Sequence, residues 1–153
     1  SSIGIEIQNK GHKFGYENFN KSQIKSIIKI STYLIKKYNI KKTNILGHSD
    51  IAFERKIDPG EKFPWKLLAK KKIGYWHNLS NKKINDLRNV KALKSDELKL
   101  LRYLKKIGYF FNKISNNKKN TLIKNFQRRF RPELINGKVD KETLIIAQKL
   151  SKI

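Results

Sequence analysis

Ser2-Ile3-Gly4-Ile5-Glu6-Ile7-Gln8-Asn9 alternates apolar with small or polar side chains, placing Ile3, Ile5 and Ile7 on one side and Gly4, Glu6 and Gln8 on the other. A period of two is the pattern of a half-buried strand, so the spacing predicts a strand with Glu6 turned away from its apolar face. A second, shorter strand is expected at Asn44-Ile45-Leu46, ending at Gly47-His48. These two stretches decide the fold class, which is expected to be α/β: a mixed sheet with flanking helices, followed by a small all-α three-helix domain.

The helical part follows from caps and stripes. Asn20 with Gln23 reads as a capping box, and Ile24, Ile27, Ile28, Leu34, Ile35 and Tyr38 mark one face of a helix ending near Asn39. The stretch from Ser49 to Pro64 holds the Asp58-Pro59-Gly60 turn, and a short helix after Pro64 would turn Trp65 and Leu68 inward. Around residues 77–95 the pattern weakens into Asn, Lys and Ser. Three helices are then expected: Ser95 to Ile107, with Leu98, Leu101 and Leu104 inward and Gly108 as its stop; about 117–131, with Leu122, Ile123, Phe126 and Phe130 inward; and a last one capped by Asp140, with Leu144, Ala147 and Leu150 inward. The expected domains are 1–80, a linker at 81–94, and 95–153.

The 153 residues carry 36 basic and 12 acidic side chains, a net charge of +24. Such a chain is drawn to anionic polymers at low salt, yet the excess is spread evenly: residues 1–80 hold 16 basic and 6 acidic groups, and residues 81–153 hold 20 and 6. Abundant Lys, Ile and Asn share AT-rich codons, which accounts for the profile without a polyanion partner, and no specific nucleic-acid motif is present. No apolar run approaches the ~20 residues of a membrane-spanning helix. With no Cys, disulfides, thiol nucleophiles and thiolate metal sites drop out, and any metal must use nitrogen and oxygen donors. The chain has no Met and opens Ser1-Ser2-Ile3, from which a C-terminal piece of a longer product is expected.

Gly47-His48-Ser49-Asp50-Ile51-Ala52-Phe53-Glu54-Arg55-Lys56-Ile57-Asp58-Pro59-Gly60 gathers an imidazole, an ammonium and carboxylates in an irregular loop after a strand. A His and a carboxylate so placed are plausible zinc ligands. Taken singly, each has an ordinary explanation: an exposed His48, turn formation at Asp58, and one more Lys56 in a chain full of Lys. Trp65 and Trp76 read as packing anchors rather than sugar platforms, and Phe126, Phe130 and Tyr109 as core. Arg128, Arg129 and Arg131 read as a solvated helix end complementing the macrodipole, or equally as a contact for an anionic ligand.

The run from Gly47 to Gly60, followed by Phe63-Pro64-Trp65, closely resembles the type 2 family of zinc-dependent N-acetylmuramoyl-L-alanine amidases, in particular its AmiD-like branch. Ser2 to Asn9 resembles the strand carrying that family's catalytic Glu, and Gly74-Tyr75-Trp76 resembles its closing motif. Residues 97–150, especially Tyr103 to Tyr109, Phe126 to Pro132 and Asn136 to Thr143, are similar to the peptidoglycan-binding-like helical domain attached to those enzymes. The resemblance implies that residues 1–80 are the C-terminal part of an incomplete amidase domain. It implies His48 and Asp58 as ligands of Zn2+, Glu6 as general base, and Lys56 as the group stabilising the oxyanion. The family's first zinc ligand is a His on an earlier strand, so the third protein ligand is expected upstream of Ser1. His12 is a poor substitute, sitting after the Glu strand, and His77 reads as an exposed linker residue.

The expected activity is hydrolysis of the amide between N-acetylmuramic acid and L-Ala of peptidoglycan stem peptides. Peptidoglycan or muropeptides are the expected partners, at the cell envelope or periplasm, with an outer-membrane anchor before Ser1 as one arrangement. The alternative is a non-catalytic peptidoglycan-binding module or degraded amidase remnant, and a third reading is a polyanion binder driven by charge.

Overall fold

The computed structural model describes residues 2–88 and 90–153, and among them the regular structure is helical. The expected sheet is absent from the described residues, where seven α-helices and one 3-10 turn account for the regular structure and the β pairing is a single isolated bridge between Lys91 and Asp140. Residues 2–10 run without regular structure, Ile3 and Ile5 are 52% and 41% exposed, and only Ile7 packs against a core. Alternation makes a strand only where a neighbour supplies ladder partners. Here the segment's hydrogen bonds run instead to side chains, from Gln23 Nε2 to the Gln8 carbonyl and from the Gly11 N–H to Asn9 Oδ1. At the second expected strand, Asn44-Ile45-Leu46, the 3-10 turn Lys42–Asn44 ends on Asn44, Ile45 and Leu46 run without regular structure, and Leu46 is exposed.

Helix α1, Lys21–Tyr38, begins at an Asn20 whose Oδ1 accepts the Gln23 N–H, while Gln23 Oε1 accepts the Asn20 N–H in return. Its buried side meets a core of Phe19, Ile27, Phe63, Trp65, Leu68 and Ile73, with edge-on ring pairs Phe19–Phe63 and Phe63–Trp65 at 5.2 and 4.7 Å. Two short helices, α2 (His48–Ile51) and α3 (Trp65–Lys70), frame the loop between them. Helix α4, Asn81–Leu87, occupies the stretch expected to be a linker.

Three longer helices follow: α5 (Lys94–Ile107), α6 (Asn116–Phe130) and α7 (Lys141–Leu150). Gly108 and Asp140 terminate α5 and start α7 at the residues the sequence predicts. Their shared core contains Leu100, Leu104, Leu122, Ile123, Phe126, Phe130, Ile146, Ala147 and Leu150, and it also takes in Phe53 and Tyr75. Leu98 is 63% exposed, against expectation; the inward row of α5 runs through Asp96, Leu100 and Leu104, at spacing i, i+4.

Two further expectations are corrected by burial. Arg129 and Arg131 are 2% and 1% exposed: Arg129 lies against Asp50 of α2 and Trp65 of α3, and Arg131 against the turn into α7 and its first residues. Arg131 is neutralised by Asp140 at 2.7 Å and Glu142 at 3.1 Å, and Arg88 completes the group with a two-pronged contact to Glu142. His77 is buried against Trp76 rather than exposed. That burial, with Lys66 nearby, holds its imidazole below the ordinary pKa.

Candidate functional site

The loop from Gly47 to Gly60 closes on itself through short-range chemistry. Asp50 Oδ2 accepts the Gly47 N–H at 2.7 Å, which starts α2, and the Ser49 N–H donates to the Asp58 carbonyl at 3.0 Å. Gly47 lies against the Pro59 ring. The closure carries His48, the first residue of α2, to Asp58: Nδ1 and Oδ2 are 2.5 Å apart, and the two side chains are 59% and 52% exposed.

An imidazole nitrogen and a carboxylate oxygen facing each other on an exposed loop are two donors of the kind zinc accepts. Tetrahedral donors about 2.0–2.2 Å from a zinc ion stand more than about 3 Å apart. The direct hydrogen bond brings the two donors closer together than that, and both side chains are exposed enough to rotate apart. No third group joins them: among the described residues, no three His, Cys, Asp or Glu side chains converge. The residues present fit two donors of a zinc site. Lys56 lies two residues before Asp58 and is half-buried, its N–H bonded to the Ala52 carbonyl. Glu6 lies in the exposed, irregular opening segment.

The flank of the loop is built by the segment after Glu6. Tyr16 Oη donates to the Pro59 carbonyl at 2.7 Å and accepts the Lys62 N–H at 3.0 Å; burial pushes this phenol up to about 12. Gly60 has φ +81°, and a Cβ there would sit 2.6 Å from Tyr16 Oη, so this position takes only glycine. His12 stacks on Tyr16 and pairs with Glu61 at 3.0 Å.

Asp50, Tyr109, Asn125 and Arg129 are buried beside the loop, and Arg129 forms an ion pair with Asp50. Sequence reasoning placed Tyr109 only as core and Arg129 as a solvated helix end or an anion contact, and it marked Asp50 and Asn125 for no role at the loop. A signal for Asp50 existed, since an acid three residues after a helix-starting Gly is a capping position. Asn125 and Arg129 stand at i and i+4 on α6 next to Phe126 and Phe130, polar residues on a side that packing, not spacing, turns inward.

Residues 1–61 match the family model described as N-acetylmuramoyl-L-alanine amidase. The chain is 35% identical over 156 residues to the N-acetylmuramoyl-L-alanine amidase AmiD of Escherichia coli (strain K12), covering 98% of this chain and 56% of that protein. It is 39% identical over 64 residues to the 1,6-anhydro-N-acetylmuramyl-L-alanine amidase AmpD of Enterobacter cloacae, covering 42% of this chain and 32% of that one. Among solved structures, the complex of Escherichia coli AmiD with anhydro-N-acetylmuramic acid-L-Ala-D-gamma-Glu-L-Lys superposes with TM-score 0.79 at 33% identity, covering 90% of this chain and 54% of that chain. AmpDh3 from Pseudomonas aeruginosa superposes with TM-score 0.77 at 30% identity, covering 91% and 56%. The chain therefore spans about half the length of AmiD and a third of AmpD.

Proposed function

From a chain homologous to N-acetylmuramoyl-L-alanine amidases, we propose that this protein works in zinc-dependent hydrolysis of the amide between the N-acetylmuramic acid lactyl group and L-Ala of peptidoglycan stem peptides. The observation that carries the reading is the 2.5 Å approach of His48 Nδ1 to Asp58 Oδ2 across ten residues of an exposed loop. His48 and Asp58 would hold the ion. The third protein donor, in the family a His on a preceding strand, is taken in this reading from a segment before Ser1. When bound, zinc supplies Lewis acidity at the scissile carbonyl and lowers the pKa of water towards about 7.

The chain's own residues do the remaining work. The Glu6 carboxylate accepts the proton that water loses as it attacks the carbonyl carbon, and returns it to the departing L-Ala nitrogen. The Lys56 ammonium offsets the negative charge that grows on the tetrahedral oxygen. The products are a lactyl carboxylate and a free stem peptide. Peptidoglycan or its soluble muropeptides are the partners, which puts the protein's work at the cell envelope.

A second reading, binding to peptidoglycan without hydrolysis, is favoured by the pairing of only two metal donors among the described residues. Zinc titration separates the two, with release of stem peptide from an anhydro-muropeptide as the second readout. Under the first reading zinc binds the chain one to one, His48→Ala and Asp58→Ala each weaken it at least tenfold, and the chain extended upstream releases peptide. Retention on sacculi with neither zinc binding nor peptide release would establish the second.

A further inference from the structure

The stretch from Ile45 to Lys56, which carries His48, is held from α6 and the connection between α5 and α6 at four of its residues, Ile45, Asp50, Phe53 and Lys56. Asn125, fully buried, donates both hydrogens of its amide into the loop, to the Phe53 carbonyl at 2.9 Å and the Lys56 carbonyl at 3.0 Å. Its oxygen accepts from Arg128 Nη1 at 2.7 Å, which fixes the amide's orientation. One turn on, Arg129 lies 4.2 Å over the Trp65 ring, forms its ion pair with Asp50 through Nη1, and donates from Nη2 to the Ile45 carbonyl at 2.9 Å. Tyr109 Oη donates to Asp50 Oδ1 at 2.8 Å. Asp50 is in turn the residue that accepts the Gly47 N–H and starts α2 at His48.

We propose that Asn125, Arg129 and Tyr109 are positioning residues for the metal-binding loop, so that the C-terminal helices form part of the amidase site as well as a unit that follows it. The inference rests on the zinc reading above for what the loop is for, and on buried geometry for how the loop is held. A helical unit tethered only to bring the enzyme to its polymer has no need of buried donors aimed at Ile45, Phe53 and Lys56. Those contacts fix the backbone on both sides of His48 and two residues short of Asp58, the span within which the imidazole must meet the carboxylate. Groups that hydrogen-bond a metal ligand directly change metal affinity by about 10–100-fold when lost, and groups that hold the ligand's backbone act on the same geometry.

The test uses the whole chain with Asn125→Ala and, as a control of similar burial on the same helix, Gln127→Ala, whose amide bonds the 136–138 turn instead. Amide exchange in the metal-free protein, read residue by residue, is expected to quicken at least tenfold over residues 47–58 in Asn125→Ala and to stay unchanged at Ile27 and Ile28. The His48 imidazole resonances should move towards those of Asp58→Asn. Gln127→Ala should do neither, even where it unfolds as readily. Zinc binding to Asn125→Ala should weaken at least tenfold relative to the unaltered chain. Unchanged exchange and unchanged His48 resonances in Asn125→Ala, or the same changes in Gln127→Ala, would overturn the positioning role. A parent chain that binds no zinc would instead remove the zinc reading, and the exchange result would still decide whether the helices hold the loop.

Discussion

A Cβ at position 47 would lie 2.6 Å from Pro59 Cδ and 3.3 Å from Trp65 Cζ2. Neither neighbour can yield cheaply, since one is a closed ring and the other a buried anchor of the first core. Gly47→Ala therefore pushes the start of α2 away from the Asp58 turn. The expected loss is about 1–3 kcal/mol, the range for overpacking, read as a lower urea midpoint with unchanged slope. Gly4→Ala, with nothing within 4 Å of its would-be Cβ, is the matched control and should stay within about 0.5 kcal/mol. Equal midpoints for the two variants would mean that the loop tolerates separation of its two ends. At this scale the sequence was most legible where chemistry is rare: its motif singled out one His and one Asp, and His48 Nδ1 and Asp58 Oδ2 stand 2.5 Å apart. Arg129 was illegible for the converse reason. In a chain with 36 basic side chains, nothing marks the one that pairs with a buried carboxylate, and the helix-end position offered a sufficient solvated explanation.

Helices α5 and α7, which share a hydrophobic core, are also tied through one acid. Asp96 Oδ2 accepts from Lys141 Nζ at 2.5 Å and from the Leu93 N–H at 2.9 Å, so it starts one helix and binds the first residue of the other. The Lys141 hydrogen bond first, and the Leu93 N–H second, hold its carboxyl down at about 2 against an ordinary 3.8. A carboxyl depressed in the folded state adds stability above its unfolded pKa and loses that stability as pH falls through its folded one. The contribution of Asp96 should therefore be intact above about pH 4 and fade towards pH 2. Urea midpoints taken from pH 5 to pH 2 should fall less steeply in Asp96→Asn than in the parent, and parallel profiles would rule the linkage out. Element prediction succeeded where ends are set locally: Asn20 with Gln23, Gly108 and Asp140 each needed only residues within a turn. It failed at Ile3, Ile5 and Ile7 because a strand is a relation between two segments, and alternation in one of them supplies only half of it. Leu98 failed by phase, as a Leu at i, i+3 spacing looks inward until Asp96 takes the buried row.

The net charge of +24 belongs to the whole molecule. Both halves are basic, so the packing of α6 on α2 and α3 brings like-charged segments together. The ion pairs that oppose this are of two kinds. The buried ones, Arg129 with Asp50 and Arg131 with Asp140 and Glu142, are shielded from salt. Exposed ones such as Lys118 with Glu54 are worth about 0–1 kcal/mol each. Self-repulsion of a large uniform excess destabilises the compact state, and raising the salt from 0.01 M to about 0.15 M shortens its reach from about 30 Å to 8 Å. Sodium chloride over that range should therefore raise the urea midpoint, with most of the gain complete before 0.3 M; a midpoint that falls would mean exposed pairs outweigh the repulsion. The same titration separates attraction from recognition. Retention on an unrelated anionic polymer should vanish over this range, whereas retention on sacculi that survives 0.5 M salt requires contacts shaped for the murein itself.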